Sequence, residues 1–502
     1  MIRSQLQYNT DLSIHASPEK LVRANKIVCT IGPVTQSVAK LKELIDSGMA
    51  IARMNFSHGS HEYHKETIEN VRQAAKESNR YIAIALDTKG PEIRTGLFVT
   101  GETRIESGST VFVTCDPHYK EDGTAERFYV DYENICNVVA VGGHVFVDDG
   151  VLDLEVVERV SNTELKCIAN NSHVLSNRKG VNLPKAPVDL PAVSEKDRSD
   201  LMFGADNDVD FVFASFIRSA SQVNEVRAAL GPKGTKIQII SKIENWQGVD
   251  DIDAIIAASD GIMVARGDLG VEIPAEKVVI AQKMIISKCN AAGKPVICAT
   301  QMLESMTTNP RPTRAEVSDV ANAVLDGADA VMLSGETAKG KYPKEVVSYM
   351  ARICLEAQNA TWNQAMFENI KNMQAVPMSP EESICASAVN AVSELQAKAV
   401  IVLTNTGRSG RLVAKYRPAV PILCASQDPD VCRALAVVRG TVPVYYNTDI
   451  LGDDPDKEKR VALAIKVAKR LGVVVTGDLV VTVHADHKTK GFANQTRAIF
   501  VE

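Results

Sequence analysis

The chain has 502 residues, 45% hydrophobic and 24% charged, which excludes a disordered or fibrous protein. One hydrophobic core does not serve so long a chain, and roughly two to four domains are expected. The formal net charge of -6 argues against a nucleic-acid footprint but leaves room for a local basic pocket that takes a small anion.

Met1 to Lys20 is polar and lacks the apolar core of a signal peptide, and no apolar run approaches membrane-spanning length. Ten cysteines are scattered from Cys29 to Cys432 without a CxxC pair and read as reduced core thiols. Ile499-Phe500-Val501-Glu502 is not a peroxisomal address. The expectation is a cytoplasmic enzyme with no membrane partner.

Short apolar runs alternate with amphipathic ones. Strands are expected near Ile27 to Ile31, Ala50 to Met54, Ile82 to Asp87, Asp210 to Ala214, Ile237 to Ile243, Gly261 to Ala265, Pro295 to Ala299 and Ala330 to Leu333. Helical patterns separate them at Ser37 to Ser47, Glu62 to Glu77, Ser219 to Leu230, Pro274 to Ala292 and Arg314 to Asp326, with Gly48, Gly293 and Gly327 as stop signals. Eight such units predict an α/β fold, a (β/α)8 TIM barrel. Between its third and fourth strands, Lys89 to Ala186, the period changes to two. Strand-like runs lie at Thr110 to Thr114, Arg127 to Tyr132, His144 to Val147, Leu152 to Val157 and Glu164 to Ala169, which predicts an inserted all-β lid domain with proline-stiffened crossings at Lys89-Gly90-Pro91 and Leu183-Pro184 to Pro191. After a helix at Lys344 to Ala360 and a polar stretch at Asn363 to Pro380, five more runs predict a C-terminal α/β open-sheet domain: Ala399 to Leu403, Pro421 to Ala425, Val442 to Tyr446, Leu479 to His484 and Arg497 to Val501. The expected division is an N-terminal segment 1–19, a catalytic barrel 20–88 and 187–356, a lid 89–186 and a C-terminal domain 357–502.

In a parallel barrel the carboxyl ends of the strands share one rim. The residues expected there are Arg53, Asn55, Ser57, Asp87, Thr88, Lys242, Glu244, Asp268 and Thr300. Singly, each is read equally well as a solvated charge or a capping residue; the set is not. Glu244 and Asp268 are hard oxygen donors that suit Mg²⁺ or Mn²⁺. Asn55, Ser57, Asp87 and Thr88 offer mostly neutral oxygens around one carboxylate, a pattern for K⁺. Arg53 and Lys242 beside such cations imply a strongly anionic ligand, a phosphate or phosphorylated acid, and phosphoryl transfer as the natural chemistry. The backbone N–H groups at Gly267-Asp268, leading toward the helix at Pro274, suit a carboxylate, with a plain tight turn as the alternative. Thr300 has no base near it in sequence and fits a water-linked proton route better than a nucleophile. The Walker pattern GxxxxGK[ST] is absent, so nucleotide contacts must come from the metal and from lid cations such as Arg94 and Lys179.

These residues stand in longer strings: Cys29 to Pro33, Arg53-Met54-Asn55-Phe56-Ser57-His58-Gly59, Asp87 to Arg94, Lys242-Ile243-Glu244-Asn245, Met263 to Lys277 and Lys294 to Ser305. In these the chain resembles the pyruvate kinases over nearly its whole length. The resemblance implies phosphoryl transfer from phosphoenolpyruvate to ADP, giving pyruvate and ATP. It implies Glu244 and Asp268 as Mg²⁺ ligands, Asn55, Ser57, Asp87 and Thr88 as the K⁺ site, and Glu92 as the residue that goes with K⁺ dependence. Arg53 is similar to the family's substrate-phosphate arginine and Lys242 to the lysine that steadies the phosphoryl in flight. Gly267 and Asp268 are implied as the carboxylate cradle, Thr300 as the aid to enolate protonation, and Asn55, His58, Arg94 and Lys179 as nucleotide contacts. Two departures are Trp246, where many relatives have histidine, and Lys185, where glycine is usual.

In the C-terminal domain Thr404-Asn405-Thr406-Gly407-Arg408-Ser409 has the makings of a phosphate nest, with an ordinary strand-to-helix turn as the alternative. Lys457, Arg460 and His484 complete a candidate bisphosphate site. The region resembles the kinetoplastid branch of the family, which implies fructose 2,6-bisphosphate or fructose 1,6-bisphosphate as effector and a homotetramer. A metal-dependent aldolase or lyase barrel acting on pyruvate-like acids, and a non-catalytic sugar-phosphate sensor, are the competing readings.

Overall fold

The computed structural model describes residues 4–15, 22–452, 456–486 and 492–502. The expected segment 1–19 therefore lies partly outside the described residues; what is described holds one short helix, Gln5–Asn9, started by a capping box at Ser4.

The barrel is a closed ring of eight parallel strands: β1 (Lys26–Thr30), β2 (Ile51–Asn55), β3 (Ala83–Asp87), β4 (Phe211–Ala214), β5 (Gln238–Ile243), β6 (Gly261–Ala265), β7 (Val296–Ala299) and β8 (Ala330–Leu333), with β1 paired to both β2 and β8. Nearly every strand residue is buried, because one face fills the barrel and the other meets the helices. Outward residues such as Ile27, Cys29, Ala52 and Ile84 pack with Leu41, Leu44, Ile68 and Val71 of helices Val38–Ser47 and His61–Glu77. Gly293 closes helix Ala275–Ala292 at φ +72°, a left-handed position at which a Cβ would also strike the Lys415 side chain at 2.8 Å.

The period-two interval folds as expected, with more strands than the sequence suggested. A seven-stranded sheet contains the expected runs plus Ile93–Arg94 and Gly180–Asn182, while Glu102–Ile105 and His173–Ser176 form a separate pair. The expected run Arg127 to Tyr132 is shorter, Arg127–Tyr129. Ile93–Arg94 pairs with Gly180–Asn182, so the two chain crossings between barrel and lid are tied together as strands. Gly90 at φ +72° makes the first crossing, where a Cβ would lie 2.8 Å from Ser215 and Phe216 side-chain atoms. At the second, Lys185 sits at φ +62°, the conformation that explains why glycine suits this position. Trp246 donates its indole N–H to Ala186 O at 3.3 Å, so this departure makes a structural contact with the lid crossing.

The stretch from Asn363 to Pro380, read above only as polar, holds a helix, Asn363–Asn372; its buried Phe367 and Ile370 supply the apolar face that the polar residues obscured. The C-terminal sheet then runs β11-β10-β9-β12-β13, where β9 is Ala399–Leu403, β10 Ile422–Ser426, β11 Thr441–Tyr445, β12 Leu479–His484 and β13 Gln495–Phe500, the last antiparallel. It meets the barrel through a buried ion pair. Asp329, just before β8, accepts from Arg417 Nη1 at 2.8 Å and Nη2 at 3.2 Å and from Val296 N at 3.1 Å. Both side chains are nearly inaccessible, 6% and 3% exposed. Removing one partner strands the other charge in the interface, so Asp329→Ala should cost about 3 kcal/mol, seen as an earlier thermal transition; an unchanged melting curve would show that the pair does not hold these units together.

Candidate active site

Alternation along the strands decides which side chains enter the barrel. Val28, Ile51, Ala85, Phe211, Phe213 and Ile240 belong to the interior cluster. The same period of two, carried toward the carboxyl ends, brings Thr30, Arg53, Asn55, Asp87, Ser215, Lys242 and Glu244 to the inward side. Arg53, Asn55, Asp87 and Lys242 are therefore inward-facing residues within the strands, Asn55 closing β2 one residue past the end expected at Met54.

Asp87 is the junction of this group. It accepts from Arg53 Nε at 2.6 Å through one oxygen, and from Lys242 Nζ at 3.1 Å and Ser215 Oγ at 3.3 Å through the other. Arg53 also donates Nη1 to Thr30 Oγ1 at 2.9 Å. Lys242 donates to Ser215 Oγ at 2.7 Å and lies 3.0 Å from Glu244 Oε1, whose second oxygen takes Phe216 N–H at 2.6 Å. Burial alone would raise the Asp87 carboxyl, but Arg53 and Lys242 more than offset it and hold it below the usual value. For Lys242, burial works against the charged form, and Asp87 and Glu244 outweigh it, so the ammonium stays protonated. Ser215 and Thr30 were missed in the sequence; the signal was there, since Ser215 continues the inward series Phe211, Phe213.

Glu244 and Asp268 behave differently. Burial raises both; Lys242 opposes the rise, while Asp268 raises Glu244 further, to about 7, and Asp149 does the same for Asp268. Two buried carboxyls facing one another are the environment that a divalent cation relieves. Among the described residues no cluster of three or more His, Cys, Asp or Glu side chains could hold a metal. A cation here would need substrate and water oxygens to complete its shell, the usual manner of Mg²⁺.

Beside this pair lie the neutral oxygens. Asn55 is paired in register with Asp87, and its Oδ1 takes Ser57 N–H at 3.1 Å. Thr88 Oγ1 takes Ser215 N–H at 3.0 Å, and Thr88 O takes Ser215 Oγ–H at 2.6 Å. Ser215 thus touches both the Asp87-Thr88 corner and Lys242.

The Gly267-Asp268 segment differs from the expectation of a run leading to the helix at Pro274. A separate helix, Arg266–Glu272, begins at once, and Pro274 only precedes the next helix. Gly267 N–H is turned to Thr300 Oγ1 at 2.7 Å, so here it holds the threonine hydroxyl. The lid side supplies the remaining charge. Arg94, Arg178 and Lys179 line a 280 Å³ cleft with Asp268 and Glu272. Arg94 is paired with Glu92 and Lys179 lies 2.9 Å from Asp148. His58 is exposed on the loop after β2 and is not among the cleft residues.

In the C-terminal sheet β9 and β12 are neighbours, Val402 opposite Val483, and Thr404 and His484 follow at their carboxyl ends. Strand order reverses here, the usual position for a ligand in an open α/β sheet. Gly407 is left-handed at φ +78° and donates its N–H to Thr404 Oγ1 at 3.0 Å; Thr406 Oγ1 takes Arg408 N–H at 3.4 Å. Arg408 and Ser409 are less free than the sequence suggested, because Glu381 takes Arg408 Nε and Ser409 Oγ–H, both at 2.8 Å. Burial lowers the His484 imidazole, and Lys457 lowers it further, which places that lysine near it. Arg460 Nε turns to Asp456 O at 3.4 Å in the first turn of its own helix, Lys457–Arg470. Asn405 is exposed on the loop. The flanking residues 453–455 and 487–491 lie outside the described residues.

The raised Glu244 yields a pH test. Its contribution to the stability of the cation-free protein is fully present below pH 4.5 and is lost as pH rises through about 7. If a divalent cation binds the ionised pair, Mg²⁺ or Mn²⁺ should raise the melting temperature more at about pH 8 than at about pH 6. Equal shifts at both would exclude Glu244 as a ligand.

Comparison with known proteins agrees with this geometry. The family models for the pyruvate kinase barrel domain and the pyruvate kinase alpha/beta domain match residues 22–347 and 382–499. The chain is 67% identical over 502 residues to the pyruvate kinase of Trypanoplasma borreli, covering 100% of both. It is 64% identical over 498 residues to pyruvate kinase 1 of Trypanosoma brucei brucei, covering 99% of this chain and 100% of the relative. Against pyruvate kinase PKLR of Homo sapiens it is 51% identical over 491 residues, covering 95% of this chain and 85% of that one. An eight-stranded barrel with a charged mouth, a β insert and a C-terminal open sheet, joined to identity of this extent, establishes that the chain belongs to the pyruvate kinase family and resembles its kinetoplastid members.

Proposed function

We propose that the barrel mouth transfers the phosphoryl group of phosphoenolpyruvate to ADP with Lys242 as the group that steadies the phosphoryl in flight. One observation carries this: Lys242 Nζ lies 3.1 Å from Asp87 and 3.0 Å from Glu244, at the seam between the neutral-oxygen group and the carboxylate pair. A fixed, desolvated cation at that seam meets charge that develops on the moving group, and it needs no rearrangement to do so.

The other residues divide the task around it. Glu244 and Asp268 would hold Mg²⁺ or Mn²⁺, and Asn55, Ser57, Asp87 and Thr88 would hold K⁺; bound there, the cations supply charge neutralisation to the anionic reactants. Arg53 binds the substrate phosphate from the inner side, its guanidinium aimed by Asp87 and Thr30. Gly267 and Asp268 take the substrate carboxylate through backbone N–H groups, which requires the Gly267 N–H to leave Thr300. Thr300 serves the proton that reaches the methylene carbon as pyruvate forms. Arg94 and Lys179 on the lid face of the cleft meet the nucleotide, with Asn55 and His58 contributing from the loop after β2. We take the units as 20–88 with 187–356 for catalysis, 89–186 as lid and 357–502 as effector domain, in a cytoplasmic enzyme.

In the C-terminal domain we assign Thr404 to Ser409, Lys457, Arg460 and His484 to a fructose bisphosphate effector. The strand-order reversal and the left-handed Gly407 nest support that reading. A homotetramer is our reading of the assembly, supported by exposed Val279 and Ile280, 49% and 64% accessible, on one barrel helix.

In a coupled assay Lys242→Met should lose at least about a hundredfold in kcat while Mn²⁺ still binds; near-normal turnover would remove Lys242 from this role. Turnover should also require K⁺, and Glu92→Lys should weaken that requirement. A bisphosphate effector should lower the half-saturating phosphoenolpyruvate concentration, and Arg408→Ala should abolish that shift without changing kcat. If neither fructose bisphosphate has any effect, the effector assignment falls.

A further inference from the structure

Thr300 and Gln301 follow β7 at φ +68° and +52°. Two successive non-glycine residues in the left-handed region are costly, and a β-branched threonine is the worst case, so the surrounding structure must impose this conformation. Arg266, at the start of the helix that carries Asp268, makes the contacts that do so. Its Nε donates to Ala299 O at 3.2 Å and its Nη2 to Thr300 O at 2.7 Å, so one guanidinium grips the carbonyls on both sides of the strained residue. The far edge of the same guanidinium is locked by Asp319, Nη1 to Oδ1 at 2.7 Å and Nη2 to Oδ2 at 2.8 Å, with Gln282 Oε1 at 3.3 Å from Nη1. Asp319 stands on helix Arg314–Leu325, itself started by a capping box from Thr313 to Glu316. The fork fits a carboxylate on one edge and two carbonyls on the other, which a lysine in its place does not reproduce.

The clamp also sets the threonine hydroxyl. Thr300 Oγ1 donates to Ala299 O at 2.6 Å and accepts from Gly267 N at 2.7 Å. Ala299 O is therefore shared by the hydroxyl and by Arg266 Nε. The guanidinium aims the hydroxyl and leaves phosphoryl transfer to Lys242.

We propose that Arg266 and Asp319 are positioning residues for the protonation step: the pair holds Thr300 in its left-handed conformation, so that the new C–H bond at the methylene carbon takes its proton, drawn from solvent, along the route that Thr300 serves. This rests on the role given to Thr300 above. Asp319 is bound to Arg266 and is not among the residues assigned above to the reactants, and 35% of its side chain is exposed, so its substitution tests the clamp without removing a reacting group.

The experiment measures, in the full enzyme with Mg²⁺, K⁺ and ATP, the exchange of deuterium from solvent into the pyruvate methyl group, alongside kcat and KM in the forward direction. Asp319→Ala should slow methyl exchange and kcat together, by about tenfold or more, leave the KM for phosphoenolpyruvate within about twofold, and raise the solvent deuterium isotope effect on kcat. Asp319→Asn should fall between it and the parent, and Arg266→Lys should follow the alanine variant. Independently of activity, amide hydrogen exchange of residues 300–303 should quicken in Asp319→Ala. Normal methyl exchange in that variant, or a KM that rises in proportion to the loss of kcat, overturns the clamp. Thr300→Ala separates the two claims: if it exchanges methyl protons normally, the role of Thr300 falls and the clamp with it, whereas slow exchange there beside normal exchange in Asp319→Ala removes the clamp alone.

Discussion

A buried carboxylate held between two cations is the constraint on which this protein turns. Asp87 is almost inaccessible, and an ion in that position costs several kcal/mol unless it is paired. Arg53 and Lys242 pair with it, and each is fixed in turn by a hydroxyl, Thr30 for the arginine and Ser215 for the lysine. No side chain in this group is free to relax when charge moves nearby, which is the physical content of a preorganised site. The same group ties the carboxyl ends of five barrel strands, β1 to β5, together, so the geometry of the site and the closure of the barrel are one condition.

Around that fixed centre the structure places parts of graded stiffness. The lid crosses from the barrel on two segments that pair with one another, one turning at Gly90 and the other at Lys185, and Trp246 and Asn182 contact across the second crossing, to Ala186 O and Glu272 Oε1 respectively. The segment after β7 is the opposite case: Thr300 and Gln301 are in a conformation that the chain does not choose locally and that its neighbours impose. The C-terminal sheet is joined through Asp329 and Arg417, a buried pair whose directionality fixes how the two units meet.

Much of this was legible in the chain. Period-two and helical patterns alternate cleanly enough that all eight barrel strands and all five C-terminal strands fall where they are expected, because each is a short, fully buried apolar run between turn residues. The residue types at the rim, Lys242, Glu244, Asp268 and Thr300 among them, also stand out, since polar groups at the ends of such runs have few structural reasons to be there. The short lid strands did not show, because Ile93–Arg94 and Gly180–Asn182 are set by pairing, with each other and of the second with His144–Val147, and have no pattern of their own. The helix Arg266–Glu272 was hidden by its two glycines, which read as turn formers, and is held by its packing.

The architecture and the inventory of the site follow from the chain alone: periodicity is a local property, and the charged residues at strand ends declare themselves by type. The chain alone did not determine who touches whom. That Asp87 would be the partner shared by Arg53 and Lys242, that Ser215 would join the site, that Gly267 would hold Thr300, that Glu381 would occupy Arg408 and Ser409, and that Arg266 would bind the backbone of another strand are outcomes of barrel closure and packing. Those contacts join residues far apart along the chain, and only the tertiary structure, by bringing strand ends to a common rim and excluding water from it, makes them neighbours and gives their charges their strength.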